Sequence, residues 1–168
     1  MVAWNEWRSS QALTEVDLRG ADLSGLDLRG VDLWYAKLQG ARIMGSDLSL
    51  AILDRADLTL ADLRSTSFYR ARLRGSILDG ARLCAASFVE ADMTLAKVSH
   101  AELEGAIFTG AMVVGANFYG SPLASAYALE EREGWVQDRV GVPDREPLAH
   151  PGGRQEELLG GLRRLGGA

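Results

Sequence analysis

A large apolar residue returns at every fifth position from Leu18 to Leu123, 22 times without an insertion or a polar exception. The stretch GADLSGLDLRGVDL, residues 20–33, carries three of them at Leu23, Leu28 and Leu33. No single regular element can use this period. Five residues advance about 500° around an α-helix, so the large residues would spiral over every side. On a continuous strand an odd step reverses the face at each repeat. Both geometries leave many of these residues in water. A chain that turns a corner once per pentad does not. Each pentad is then a short extended side with its large residue inward, and the backbone pairs with the levels above and below at about 4.8 Å.

Two further columns agree with this reading. A small residue lies two places before each large one, from Val16 to Ser121, and it is Ala at 15 of 22 places. Leu26 and Val31 are bulkier exceptions, so the first level is expected to be locally wider there or adjusted to a cap formed by Trp4 and Trp7. Eleven of the 19 glycines lie two places after the large residue, where a corner favours φ > 0. All four phenylalanines fall in the large column, and Phe68, Phe88 and Phe108 lie 20 apart, which predicts an interior aromatic stack.

The outward residues set the number of sides. The residue before each large one, from Asp17 to Pro122, should point to solvent, and residues one full turn apart should lie over one another. Opposite charges attract there and like charges repel. A 20-residue turn brings seven opposite-charge pairs and one like-charge pair into register. A 15-residue turn gives four of each, and a 25-residue turn gives four against three. Four pentads therefore make one square coil. One column reads Asp22, Arg42, Asp62, Arg82, Glu102. At the β-strand spacing, the 22 pentads form about five and a half coils and a rod about 26 Å long.

The triplets Ala21-Asp22-Leu23 and Ala61-Asp62-Leu63 resemble the A-(D/N)-L-x-x pattern of the pentapeptide-repeat family. That resemblance implies an all-β solenoid, a right-handed four-sided β-helix over residues 14–124. The stretch AWNEWR resembles the helical cap that precedes the first coil in such proteins, which makes residues 1–13 an N-terminal cap. Open ends of a stack expose unpaired backbone and core, so both need covering. Residues 125–141 are expected to form a C-terminal α-helix with Ser125 at its N-cap. Residues 142–168 are rich in Pro and Gly at first and read as linker and tail.

Little in the sequence points to catalysis. The two histidines, His100 and His150, have no partner at a metal-ligand spacing, and Cys84 has no base beside it in sequence. No catalytic, cofactor-binding or metal-binding residue is assigned, and the chain is expected not to be an enzyme. The net charge of −5 argues against direct nucleic-acid binding. No run of about 18 apolar residues is present to span a membrane. With a single cysteine and no signal-like start, a soluble cytoplasmic protein is expected.

What remains is surface. Trp34, Tyr35, Leu50 and Ile52 map to one corner region of neighbouring coils and form the candidate partner-binding patch. Residues 14–63 carry nine acidic and five basic side chains, with Asp17, Asp22, Asp27 and Asp32 on the four sides of the first coil and Asp47 above them. The first expectation is a non-catalytic protein-interaction or structural scaffold. The resemblance also implies an alternative, because some pentapeptide-repeat proteins mimic DNA. They bind the type II topoisomerases gyrase and topoisomerase IV and confer resistance to topoisomerase poisons. In that subgroup a homodimer forms through the C-terminal end, for which Tyr127, Leu129, Trp135 and Val136 are the candidates, as dimer contact or end cap. A third expectation concerns the tail, where residues 159–164, LGGLRR, resemble peptides that load cargo into encapsulin shells.

Overall fold

The structure, a computed structural model, describes residues 2–10 and 16–126. Seventeen parallel bridges, from Asp17↔Lys37 to Lys97↔Asn117, all join residues 20 apart. The period read from charge pairs is thus the period of the backbone. Each pentad contributes one bridging residue and a two-residue turn rather than a long strand. Leu18, Leu23, Leu28 and Leu33 lie in the middle of what we number the first to fourth sides.

The backbone accounting explains the repeat. In the pentad around Leu38, the Leu38 N–H donates to Asp57 O at 2.7 Å and the Gly40 N–H to Thr59 O at 2.9 Å, both on the next level. The Lys37 N–H donates to Val16 O on the preceding level at 2.8 Å, and the Ala41 N–H closes the turn onto Leu38 O at 3.0 Å. One N–H per pentad, that of the residue after the large one, has no place in this ladder. In nine pentads it donates to the Asp or Asn carboxylate or amide oxygen two residues earlier, as Arg19 does to Asp17 and Thr59 to Asp57. The Arg74 and Ser99 N–H groups reach the same result through Asp54 and Asp79 one level below. An acidic residue before the large one is therefore part of the backbone's hydrogen-bond satisfaction.

Every corner from residue 20 to residue 120 has φ between 54° and 73°, and ten of these residues are not glycine. The left-handed conformation costs a residue such as Leu50 or Tyr35 about 1 kcal/mol, and the ladder bonds on either side hold it in place. At Gly120 an added Cβ would lie 2.4 Å from the His100 ring one level below. That glycine leaves room for a large corner neighbour as well as supplying the turn.

Inside, the large residues of the middle levels are fully buried, Leu38, Ile43, Leu48 and Leu53 among them. Phe68 and Phe88 stack with centroids 4.8 Å apart and planes at 0°, and Phe88 and Phe108 at 5.0 Å and 8°. Phe118 closes the stack edge-on at 5.8 Å. Polar members of the small column are buried without loss, because each hydroxyl finds a carbonyl. Ser46 donates to Leu23 O and Thr66 to Ile43 O, both at 2.7 Å.

The N-terminal helix α1, Val2–Ser10, lies against the fourth side of the first level. Its side chains take over the ladder positions of a level that is not there. Trp4 Nε1 donates to Asp32 O at 2.8 Å, Asn5 Oδ1 accepts the Asp32 N–H at 3.0 Å, and the buried Arg8 guanidinium donates to Trp34 O at 2.6 Å. One level up, the equivalent groups of Ile52 and Asp54 pair with backbone. Trp7 departs from expectation: it is exposed and packs on Trp4 at 5.3 Å, leaving the coil to Trp4. Val31 is buried and shares an apolar cavity of about 170 Å³ with Trp4, Leu18, Leu23, Leu28 and Leu33. Leu26 is not adjusted to the cap; it lies 45% exposed at the uncovered end.

At the other end Leu123–Ser125 form a 3-10 turn and Ala126 is extended, with φ −94° and ψ 151°. The expected helix therefore does not start after an N-cap at Ser125, since its first residue would need helical dihedrals. The rest of that segment, including Tyr127, Leu129, Trp135 and Val136, and the encapsulin-like tail lie outside the described residues. Ile107, Met112 and Val114, which such a helix would cover, are exposed.

Candidate functional site

Trp34 and Tyr35 close the fourth side of the first level. The Trp34 N–H is held by Asp32 Oδ1 at 3.0 Å and its carbonyl by Arg8, so the backbone beneath the ring is fixed from two directions. Both rings are exposed and meet edge to face with centroids 4.9 Å apart. The Arg55 guanidinium lies one level above, 5.9 Å from the Tyr35 centroid, a cation–π arrangement. Ile52 bridges between Asp32 and Arg72 and is half-buried, while Leu50 is exposed. These four residues do not share a corner. Residues 35 and 50 are three corners apart and a level has four, so Leu50 opens the fourth side and Tyr35 closes it, with Ile52 between.

The sequence reading did not single out the polar residues of this side. Asp54 is buried, pairs with the Arg72 guanidinium and accepts the Arg74 N–H at 3.0 Å. Arg74 also lies 3.6 Å from Asp92. The 20-residue offset carries the signal, since 35 to 55 and 54 to 74 are both one level.

The acidic residues are more occupied than their count suggests. The carboxylates of Asp17, Asp22, Asp27, Asp32 and Asp47 each accept the N–H two residues on. Asp17 pairs with Arg19 at 2.6 Å and Asp22 with Arg42 at 3.5 Å. Asp27 and Asp47, the like-charged neighbours, share Arg29 at 2.6 and 3.7 Å. Hydrogen bonds from the Arg19 side chain and backbone pull the Asp17 carboxyl down to about 2. Arg29 does the same to Asp27, also to about 2. On the second side Arg82 lies between Asp62 at 3.3 Å and Glu102 at 3.4 Å, and Asp62 also pairs with Arg64 at 2.6 Å. The first-level carboxylates are thus charged but answered by arginine, apart from Asp32, which makes no ion pair among the described residues.

The remaining reactive side chains are dispersed. The half-buried Cys84 thiol faces the Glu102 carboxylate at 3.8 Å, and His100 meets Tyr119 edge to face at 5.4 Å. Among the described residues no cluster of three His, Cys, Asp or Glu could hold a metal ion. No helix among them is long and apolar enough to cross a membrane.

The profile for eight copies of the pentapeptide repeat matches residues 13–49, 47–80, 66–101 and 86–122. Among solved structures, a pentapeptide-repeat protein of the Arabidopsis thaliana thylakoid lumen is 30% identical, over 67% of this chain and 84% of that one, with a TM-score of 0.42. A pentapeptide-repeat protein of Nostoc Pcc 7120 is 35% identical over 55% of this chain and 79% of that one, with a TM-score of 0.32. QnrB1, a plasmid-mediated fluoroquinolone resistance protein, is 19% identical over 67% of this chain and 76% of its own, with a TM-score of 0.42. No curated protein matches the chain. The four matched segments run without a gap from residue 13 to residue 122, more than half of the sequence and the stretch that carries every 20-residue bridge, so the chain belongs to the pentapeptide-repeat family.

Proposed function

We infer that this protein is a non-catalytic interaction scaffold whose contact surface is the fourth side of its first two levels. The observation that carries the reading is the exposed Trp34–Tyr35 pair, anchored from below by Asp32 and Arg8 and flanked by Arg55, Leu50 and Ile52. Aromatic and arginine side chains on a rigid support are the residues that dominate binding energy at interfaces. The test compares proteins crosslinked to the native chain in its own cells with those crosslinked to a Trp34→Ala, Tyr35→Ala double variant. Loss of a reproducible partner is the expected result. An unchanged set removes this surface from the reading.

The second reading is a DNA mimic that binds gyrase or topoisomerase IV. It is favoured by the placement of one aspartate on each side of the first level. The arginines that pair with Asp17, Asp22, Asp27 and Asp47 weaken it, because they cancel much of the potential a duplex would present. A supercoiling assay with gyrase, with and without a quinolone, separates the readings: protection at micromolar protein supports the mimic, and no effect ends it. A homodimer through Tyr127, Leu129, Trp135 and Val136 belongs to this second reading, and a monomer mass by light scattering counts against it.

A further inference from the structure

We propose that the part of the N-terminal end left open by the described residues, the rim of residues 21–29 on the second and third sides, binds an extended basic peptide segment that joins the stack as a partial level. The site is separate from the fourth-side surface and stands or falls independently of it.

The first observation is an unfinished ladder. The side chains of α1 complete the ladder of the fourth side, and Asn5 Nδ2 also donates to Gly30 O at 2.8 Å where the third side ends. On the next two sides the carbonyls of Asp22, Ser24, Asp27 and Arg29 and the N–H groups of Asp22 and Asp27 have no backbone partner among the described residues. The same six groups one level up are all paired: Arg42 and Asp47 donate to Ala21 and Leu26, and Arg42, Met44, Asp47 and Ser49 accept from Leu23, Gly25, Leu28 and Gly30. A parallel strand laid against this rim meets six backbone groups already set at ladder geometry, which is the chemistry of strand addition.

The second observation is an unfinished core. Leu26 is 45% exposed, whereas Ser46 and Thr66, which stand above it, are buried. Behind the rim lies the apolar cavity of about 170 Å³, walled by Trp4, Leu18, Leu23, Leu28, Val31 and Leu33. A cavity of about 150 Å³ with such a lining holds benzene, so this one accepts a leucine- or phenylalanine-sized side chain. The inward residue of an added strand points to this space by the same pleat that turns Ile43 inward above it.

Charge selects the occupant. The outward residues of an added strand would lie beside Asp22 and Asp27. Asp22 is flanked above by Arg42, and Asp27 by the like-charged Asp47, with Arg29 serving both. Lysine or arginine immediately before the apolar residue extends the alternation downward. A second copy of the chain fits less well: its last level would put Pro122 beneath Asp22 and Ile107 beneath Asp27, a positive charge beneath neither. The chemistry recognised is thus a short extended segment with a large apolar residue every five positions, each preceded by Lys or Arg.

The test titrates the isotope-labelled full chain with a ten-residue peptide, Ala-Lys-Leu-Thr-Gly repeated twice, followed by NMR. The expected result is saturable binding with shifts centred on the amides of residues 22–30. A peptide with Glu in place of Lys should bind at least tenfold more weakly, and so should the native peptide to a Leu26→Glu chain. Leu26 is already in water at its edge, so that variant should keep the native circular dichroism spectrum; the peptide-charge comparison needs no variant at all. No saturation at millimolar peptide, shifts centred elsewhere, or equal binding of the Glu peptide overturns the proposal. Self-association of the free chain that is lost in Leu26→Glu would assign the rim to a second copy and overturn it as well.

Discussion

Leu23 and Ile43 hold the same place in successive levels, yet only Ile43 is fully withdrawn from water. Leu26 and Thr66 share a column too, and there the apolar residue is exposed and the polar one buried. In a stacked coil the pentad position decides only which way a side chain points. Burial comes from the level on each side. The middle levels have two neighbours, and among the described residues the first has α1 against its fourth side alone of the four ladders. Energetics should follow the same division.

The largest expected contrast lies in the core. Phe88→Ala removes the central ring of a three-ring stack and should cost about 3–5 kcal/mol in a denaturant titration. Leu23→Ala, at the open end, should cost about 1–2 kcal/mol, because less surface is withdrawn from water and the cavity already exists. Equal costs would break the comparison.

The carboxylates sharpen it on a smaller scale. Asp57 accepts the Thr59 N–H at 3.0 Å and Gln39 Nε2 at 2.7 Å between two complete levels, so Asp57→Ala should cost about 1–2 kcal/mol. Asp22→Ala removes the acceptor of the Ser24 N–H at the rim, where water can replace it, and should shift the same unfolding titration less than Asp57→Ala does. Trp4→Phe keeps the ring over the first level and deletes the donor to Asp32 O; about 1 kcal/mol is expected by thermal or chemical unfolding.

Acid should produce the smallest effect, and it should be concentrated at the first level. Asp17 and Asp27 have folded values of about 2 against an ordinary 3.8. A depressed carboxyl stabilises the folded state above its unfolded value, so the contribution is complete above about pH 4 and disappears as pH falls toward 2. Carboxyl-carbon NMR titrations should show both midpoints near 2. Because both groups are exposed, the gain in stability should be slight and should shrink with salt. Midpoints near 4 would mean that Arg19 and Arg29 do not hold these carboxylates in solution.

Much of the fold was legible because a solenoid repeats one local decision. The inward column, the 20-residue turn and the stack of Phe68, Phe88 and Phe108 all follow from period and charge. The aspartates were legible as a pattern of outward charge, and their second role was not. Counting charge suggested an acidic surface, but their oxygens serve the one N–H per pentad that the ladder leaves over, a fact visible only once every backbone bond is assigned. The proposed contact surface was half legible: Trp34 and Tyr35 stood out as apolar residues in an outward place, whereas Arg55, Asp54 and Arg72 joined them only through the offset of one level.

The ends resisted prediction for a different reason. Nothing periodic says that Trp4, Asn5 and Arg8 will place side-chain atoms where backbone atoms of a preceding level would be, or that Trp7 will turn away. The sequence by itself determined the direction of each side chain and the number of pentads per level, because these depend on a five-residue rule obeyed at every step. The tertiary structure decided which of those side chains lose contact with water and which backbone groups go without partners. Both depend on whether a further level is present, and only the stacked molecule has ends.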